Sequence, residues 1–104
     1  MSRWYDLALR VTEDSSHPKH HMAAVVARGG VVLSVATNGR RERQHAEARA
    51  LRACKDAHGA TVYVAREGGR ASRPCPRCMQ ELRLAGVQKV YWADWQGNLN
   101  EERI

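Results

Sequence analysis

Apolar residues recur at helical spacing from the start of the chain. Trp4, Leu7, Ala8 and Val11 share one stripe, which predicts an amphipathic helix over the first dozen residues, ending near the polar stretch 14–19. Residues 22–27 are apolar with a β-branched pair, Arg28-Gly29-Gly30 supplies turn residues, and 31–37 is again strand-like, so a β-hairpin is expected. From Ala46, small or apolar residues at 46, 50, 53, 54 and 57 trace one face of a helix, with Gly59 as its stop. Residues 60–65 contain Thr-Val-Tyr-Val and read as a buried strand; 66–73 reads as a polar, glycine-containing loop. With Cys75 as a cap, Pro76 takes the first position of another helix, where its missing N–H costs little, and Gly86 closes that helix. Met79, Leu82 and Gly86 mark its buried side. Residues 90–95 predict a fourth strand, and Gly97-Asn98 turns into a charged tail that can add a fifth.

This order predicts an α/β fold, a mixed sheet of four to five strands flanked by helices. The alternation in the second half implies parallel neighbours joined by right-handed helical crossovers. A length of 104 residues suits a single domain spanning 1–104. The chain shows no internal repeat or low-complexity segment.

Composition narrows the class. With 43% apolar and 27% charged residues the chain is that of a globular protein. Its longest apolar runs fall short of the ~18–20 residues of a membrane helix, so no membrane span is expected. The N-terminus lacks the apolar core of a secretory signal, and a cytoplasmic site follows as the expectation. A net charge of +6 favours an anionic partner, a nucleotide or nucleic acid, although solubility alone accounts for it equally well. The cysteine count is odd, and two of the cysteines lie in PCPRC, a spacing that in a reducing compartment reads as metal binding rather than a disulfide framework.

Catalytic zinc commonly takes three protein ligands and leaves the fourth position to water. His45, Cys75 and Cys78 provide such a set. Both cysteines fall at a helix start, where free N–H groups and the positive dipole end favour ionised sulfur. Glu47 is the candidate to move protons. Two residues along an ideal helix turn through ~200°, so His45 and Glu47 can share a pocket only where a helix begins. A structural zinc site normally closes with a fourth Cys or His. Cys54 is out of phase with His45 on the expected helix and reads as a small packed hydrophobe.

HAE followed by PCPRC resembles the zinc-dependent cytidine and deoxycytidylate deaminase superfamily, whose signature is H-x-E…P-C-x-x-C. The resemblance extends over nearly the whole chain, and PCPRCMQELRLAGVQKVYW is especially similar to the deoxycytidylate branch. It implies a three-layer cytidine deaminase-like fold. The implied activity is hydrolytic deamination of a cytosine nucleoside or nucleotide to the uracil product with release of ammonia. The implied cofactor is Zn2+ on His45, Cys75 and Cys78, with Glu47 as general acid and base. Asn38 would meet the sugar, the backbone N–H of Ala46 would hold the pyrimidine carbonyl, and a dimer or tetramer is implied. Without the resemblance, Asn38-Gly39 is an ordinary turn pair.

Two departures bear on substrate identity: Arg73 stands before Pro74 where Ser or Thr is frequent, and only six residues separate Asn38 from His45. Arg73 therefore joins the candidate substrate contacts. Two other functions stay open. One is a deaminase acting on cytosine or adenine in single-stranded DNA or RNA; the other is a non-catalytic zinc-stabilised nucleic-acid-binding module, against which Glu47 argues.

The segment HPKHH, with His17, His20 and His21, reads as a solvated loop rather than a second metal site or a phosphate cradle. For Arg40, Arg41 and Arg43, phosphate contact and a solvated basic loop are both open. Trp92 and Trp95, three apart on one expected strand, face opposite sides, so at least one belongs to the core.

Overall fold

The computed structural model describes residues 3–41 and 44–104; Arg43 lies outside them. Helix α1 (Arg3–Val11) leads through a single 3-10 turn into strands β1 (Met22–Arg28) and β2 (Val31–Thr37). Helix α2 (Ala46–Ala53), strand β3 (Thr61–Arg66), helix α3 (Pro76–Leu84) and strands β4 (Lys89–Ala93) and β5 (Leu99–Arg103) complete the order. The sheet runs β2-β1-β3-β4-β5. Only β3 and β4 pair in parallel, and α3 is the crossover between them. The mixed sheet is thus as expected, with the charged tail supplying the fifth strand.

The hairpin closes on Gly29 and Gly30 between the paired residues Arg28 and Val31. Both glycines have positive φ, 59° and 80°, as a two-residue turn matched to strand twist requires. Strand β1 is apolar along most of its length because both its faces are covered. Ala23 and Val25 pack with Ala8 of α1 and Ala65 of β3, bordered by Trp4, Leu7 and Val11. Ala24 and Val26 face the other way, into a core with Ala46, Ala50, Val62, Val64, Met79 and Leu82. Three layers result: α1, the sheet, and the pair α2 and α3.

Two expected boundaries move. Helix α2 stops at Ala53 instead of running to Gly59, and Cys54 is already extended at φ −100° and ψ 126°. The carbonyls of Asp56 and His58 accept from the Arg28 guanidinium at 3.1 and 2.8 Å, and Asp56 Oδ1 accepts from His58 N at 2.9 Å. These bonds stabilise a turn in place of another helical turn. Ala57 is buried from that turn, and Cys54 packs at the edge of the core as a small hydrophobe. Strand β4 ends at Ala93, so Trp95 does not share a strand with Trp92. Trp92 packs on the core whereas Trp95 is 93% exposed.

Candidate metal centre and active site

Three of the predicted site residues sit at the start of α2. His45 is its N-cap, in extended backbone at φ −69° and ψ 145°, and makes no side-chain capping bond. Its imidazole is thereby free to turn toward α3. Ala46 and Glu47 are the first two helical residues, so the spacing that mid-helix geometry forbids is accommodated across the helix boundary. At α3, Cys75 is the N-cap and its Sγ accepts from Cys78 N at 3.5 Å, with Pro76 next in line. Proline at the first position leaves Cys75 and Cys78 one turn apart on the same side.

His45 Nδ1 lies 3.1 Å from Cys78 Sγ and 3.8 Å from Cys75 Sγ, and the three ligand atoms are all within 4.8 Å of one another. A tetrahedral zinc with ordinary Zn–S and Zn–N bonds sets its ligand atoms about 3.5–3.8 Å apart. The observed separations bracket that range, and the thiol, thiol and imidazole donor set suits zinc. The group can hold a metal ion.

Glu47 is only 4% exposed, and burial pushes its carboxyl above the usual carboxylate range against the pull of its own backbone N–H, His45 and Cys78. Burial likewise pushes the Cys78 thiol up, reinforced by Glu47 and Cys75. A cation held by His45, Cys75 and Cys78 would offset that burial and stabilise the thiolate.

These residues floor a cavity of about 490 Å³. His45, Ala46, Glu47, Cys75, Asn38 and Arg73 all line it, while Cys78 sits behind at 3% exposure. Asn38 is buried and heavily bonded: Oδ1 accepts from Met22 N at 2.9 Å and from Ser15 Oγ, and Nδ2 donates to His20 O at 2.7 Å. One Nδ2 hydrogen remains for a ligand. Arg73 donates to Glu102 at 3.1 and 3.2 Å and lies over the Trp92 ring.

Sequence reasoning left other lining residues out. His17, Lys19 and His20 reach the cavity from the largely exposed loop HPKHH. Arg66, Met22 and Gln44 line it too, as does Arg41 from the basic loop, whereas Arg40 is exposed and does not. Arg66 carried one usable signal. It ends a strand with a parallel neighbour, and ligands in α/β sheets gather beyond the C-terminal ends of such strands.

A family model described as the cytidine and deoxycytidylate deaminase zinc-binding region matches residues 1–94. The chain belongs to this deaminase family. Solved deaminases share its fold. Cytidine deaminase from Burkholderia pseudomallei superposes with a TM-score of 0.75 at 21% identity, over 99% of this chain and 93% of that one. The apo dCMP deaminase from the cyanophage S-TIM5 gives 0.73 at 22% identity, covering 90% and 86%. A structure from a study of A-to-I editing by tRNA:A34 deaminases gives 0.67 at 23%, covering 88% and 74%. Comparison with curated proteins finds no match.

Proposed function

We propose that this deaminase-family protein is a zinc-dependent hydrolase that converts a cytosine nucleoside or nucleotide to the uracil product and ammonia. The observation that carries the reading is the buried Glu47 carboxyl at one pocket floor with the converging donor atoms of His45, Cys75 and Cys78. Those three side chains would hold the zinc. Zinc bound there supplies Lewis acidity and lowers the pKa of water.

Glu47 is the only acidic side chain among the described residues that line the pocket, so proton movement falls to it. It takes a proton from the attacking water and delivers protons to the ring nitrogen and the departing amino group. The C4–O bond forms, the C4–N bond breaks and ammonia leaves. The N–H of Ala46, one of the first in its helix and without an intrahelical acceptor, holds the pyrimidine carbonyl. Asn38 offers its remaining N–H to the sugar, and Arg73 meets the substrate at the rim. The related cyanophage enzyme, solved in complex with dCMP and dUMP at 21% identity, supports a pyrimidine nucleotide. A homo-oligomer, which the family resemblance implies, and a cytoplasmic site, expected from the N-terminal sequence, are part of the reading.

A second reading, deamination of cytosine or adenine in single-stranded DNA or RNA, draws on the +6 charge and on Lys19, Arg41, Arg66 and Arg73 around the cavity. The two are separated by ammonia release from cytidine, deoxycytidine, their monophosphates and short single strands. Turnover of small substrates supports the first, and exclusive turnover of strands supports the second. Salt-sensitive strand binding without any product would indicate a non-catalytic zinc module.

A further inference from the structure

His45 is held differently from the two cysteines. Cys75 and Cys78 share one helix start and are joined by the bond from Cys78 N to Cys75 Sγ. His45 enters from α2, and its Nδ1 faces both sulfurs. Among the described residues, no protein group bonds its Nε2. A histidine that ligates a metal ordinarily gives its second ring nitrogen to a carboxylate or carbonyl, and that bond sets the direction of the ring. At His45 the direction is left to the backbone that leads into α2.

That backbone is fastened to the sheet. Asn38 N donates to Met22 O at 3.1 Å and Asn38 Oδ1 accepts from Met22 N at 2.9 Å, which pins the end of β2 to the start of β1. The next residue, Gly39, donates its N–H to Gln44 O at 2.8 Å. Gln44 O belongs to the same planar peptide as His45 N, so this bond fixes the plane from which His45 projects. Gln44 is tied to Arg41 as well: its N–H donates to Arg41 O at 3.0 Å, and its Oε1 accepts from Arg41 N at 3.3 Å.

The Gln44 side chain lies directly on Gly39. A Cβ at Gly39 would fall 2.8 Å from Gln44 Cδ and 2.9 Å from Gln44 Cβ, and would strike Oε1. Rotation can move Oε1 aside, but Cβ is set by the backbone. Gly39 is not among the glycines with positive φ, so what it requires is space rather than a left-handed conformation.

We infer that Gln44, seated on Gly39, is a positioning residue for the metal ligand His45. This rests on the zinc reading above. The path from β1 through Asn38, Gly39 and Gln44 does for His45 what a bond to Nε2 does at other metal sites. Holding the ring in its bound direction beforehand removes an ordering cost from metal binding.

The test measures zinc affinity at neutral pH, by competition with a chromophoric chelator, beside the thermal midpoint of the metal-free protein. Gly39→Ala is expected to lower affinity by about 10–100-fold, the usual effect of losing a group that orients a ligand, and Gln44→Ala by about tenfold with the metal-free midpoint unmoved. In a Gln44→Gly background, which lacks the side chain that the new Cβ would meet, Gly39→Ala should cost less than about threefold. Gln44 is exposed, so Gln44→Ala decides the matter even where Gly39→Ala fails to fold. Unchanged affinity in Gln44→Ala, a loss matched by a fall in the metal-free midpoint, or an equal cost of Gly39→Ala in both backgrounds overturns the positioning role and leaves the zinc reading standing. A parent protein that binds no zinc removes both.

Discussion

Ser72 lies in a stretch that reads from sequence as a polar loop, yet it is 1% exposed. Its Oγ donates to Val64 O at 2.8 Å and accepts from Ala93 N at 2.9 Å, while its own N–H donates to Ala93 O at 3.0 Å. The residue thus fastens β3 to the end of β4 beyond their short parallel pairing. Ser72→Ala leaves a buried amide without its acceptor and should cost about 1–3 kcal/mol in urea unfolding. A loss under about 0.5 kcal/mol would mean that water or a small shift replaces the hydroxyl. Nothing local marks this serine, because its partners come from two other strands. Cys75 and Cys78 are the opposite case: their spacing and the intervening Pro76 announce both a helix start and a donor pair. His45 and Glu47 are legible only through the neighbouring motif, since the capping geometry that lets them share a pocket is a property of the folded chain.

At the scale of elements, glycine and turn chemistry were the reliable markers. Helix α3 ends as expected at Gly86, whose φ is 86°. Gly86 N donates to Arg83 O and Val87 N to Leu82 O, both at 3.1 Å, and Leu82 and Val87 meet in the core. This is the paired-bond helix stop that favours glycine. A Cβ there would also lie 2.9 Å from His58 Cδ2. Gly86→Ala should destabilise by about 1–2 kcal/mol and lower Tm by several degrees; an unchanged Tm would contradict the left-handed assignment.

Helix α2 ends short of Gly59, and Arg28, far away in sequence, holds the carbonyls of Asp56 and His58 in the turn that follows. Strand β4 ends before the expected residue 95 because Asp94 makes a turn, its Oδ1 accepting from Gln96 N and Asn98 N at 2.9 Å each. The Asn100 side chain and these backbone N–H groups hold the Asp94 carboxyl below its usual 3.8. A depressed folded pKa contributes stability above the unfolded value that is lost as pH falls through the folded one. Asp94→Asn should therefore be less stable than the parent at pH 7, with the difference shrinking as pH drops below about 4. A difference that stays constant down to pH 2 would show that the turn does not depend on the charge.

At the scale of the molecule, the layered arrangement was legible from the alternation of elements, whereas the strand order was not. Hydrophobic periodicity marks a strand but not its neighbours, and β1 lies between β2 and β3. The cationic mouth was hidden for a related reason. It is assembled from residues 17, 19, 20, 41, 66 and 73, which no local pattern connects. The donor set joins the starts of α2 and α3, so a bound metal would couple two elements that sequence separates. Chelation should lower the thermal midpoint, since an ion in hundredfold excess over its Kd stabilises by about 2.7 kcal/mol. Equal midpoints with and without zinc would argue against metal on the folded state.

The most direct test of the whole reading is ammonia release from 5′-dCMP and deoxycytidine by protein carrying one zinc per chain, measured beside Glu47→Gln at the same metal content. Stoichiometric ammonia and uracil product are expected, with the variant slower by about 10²–10⁴-fold. A zinc-loaded protein that releases no ammonia from any cytosine compound, or a Glu47→Gln variant as fast as the parent, would contradict it.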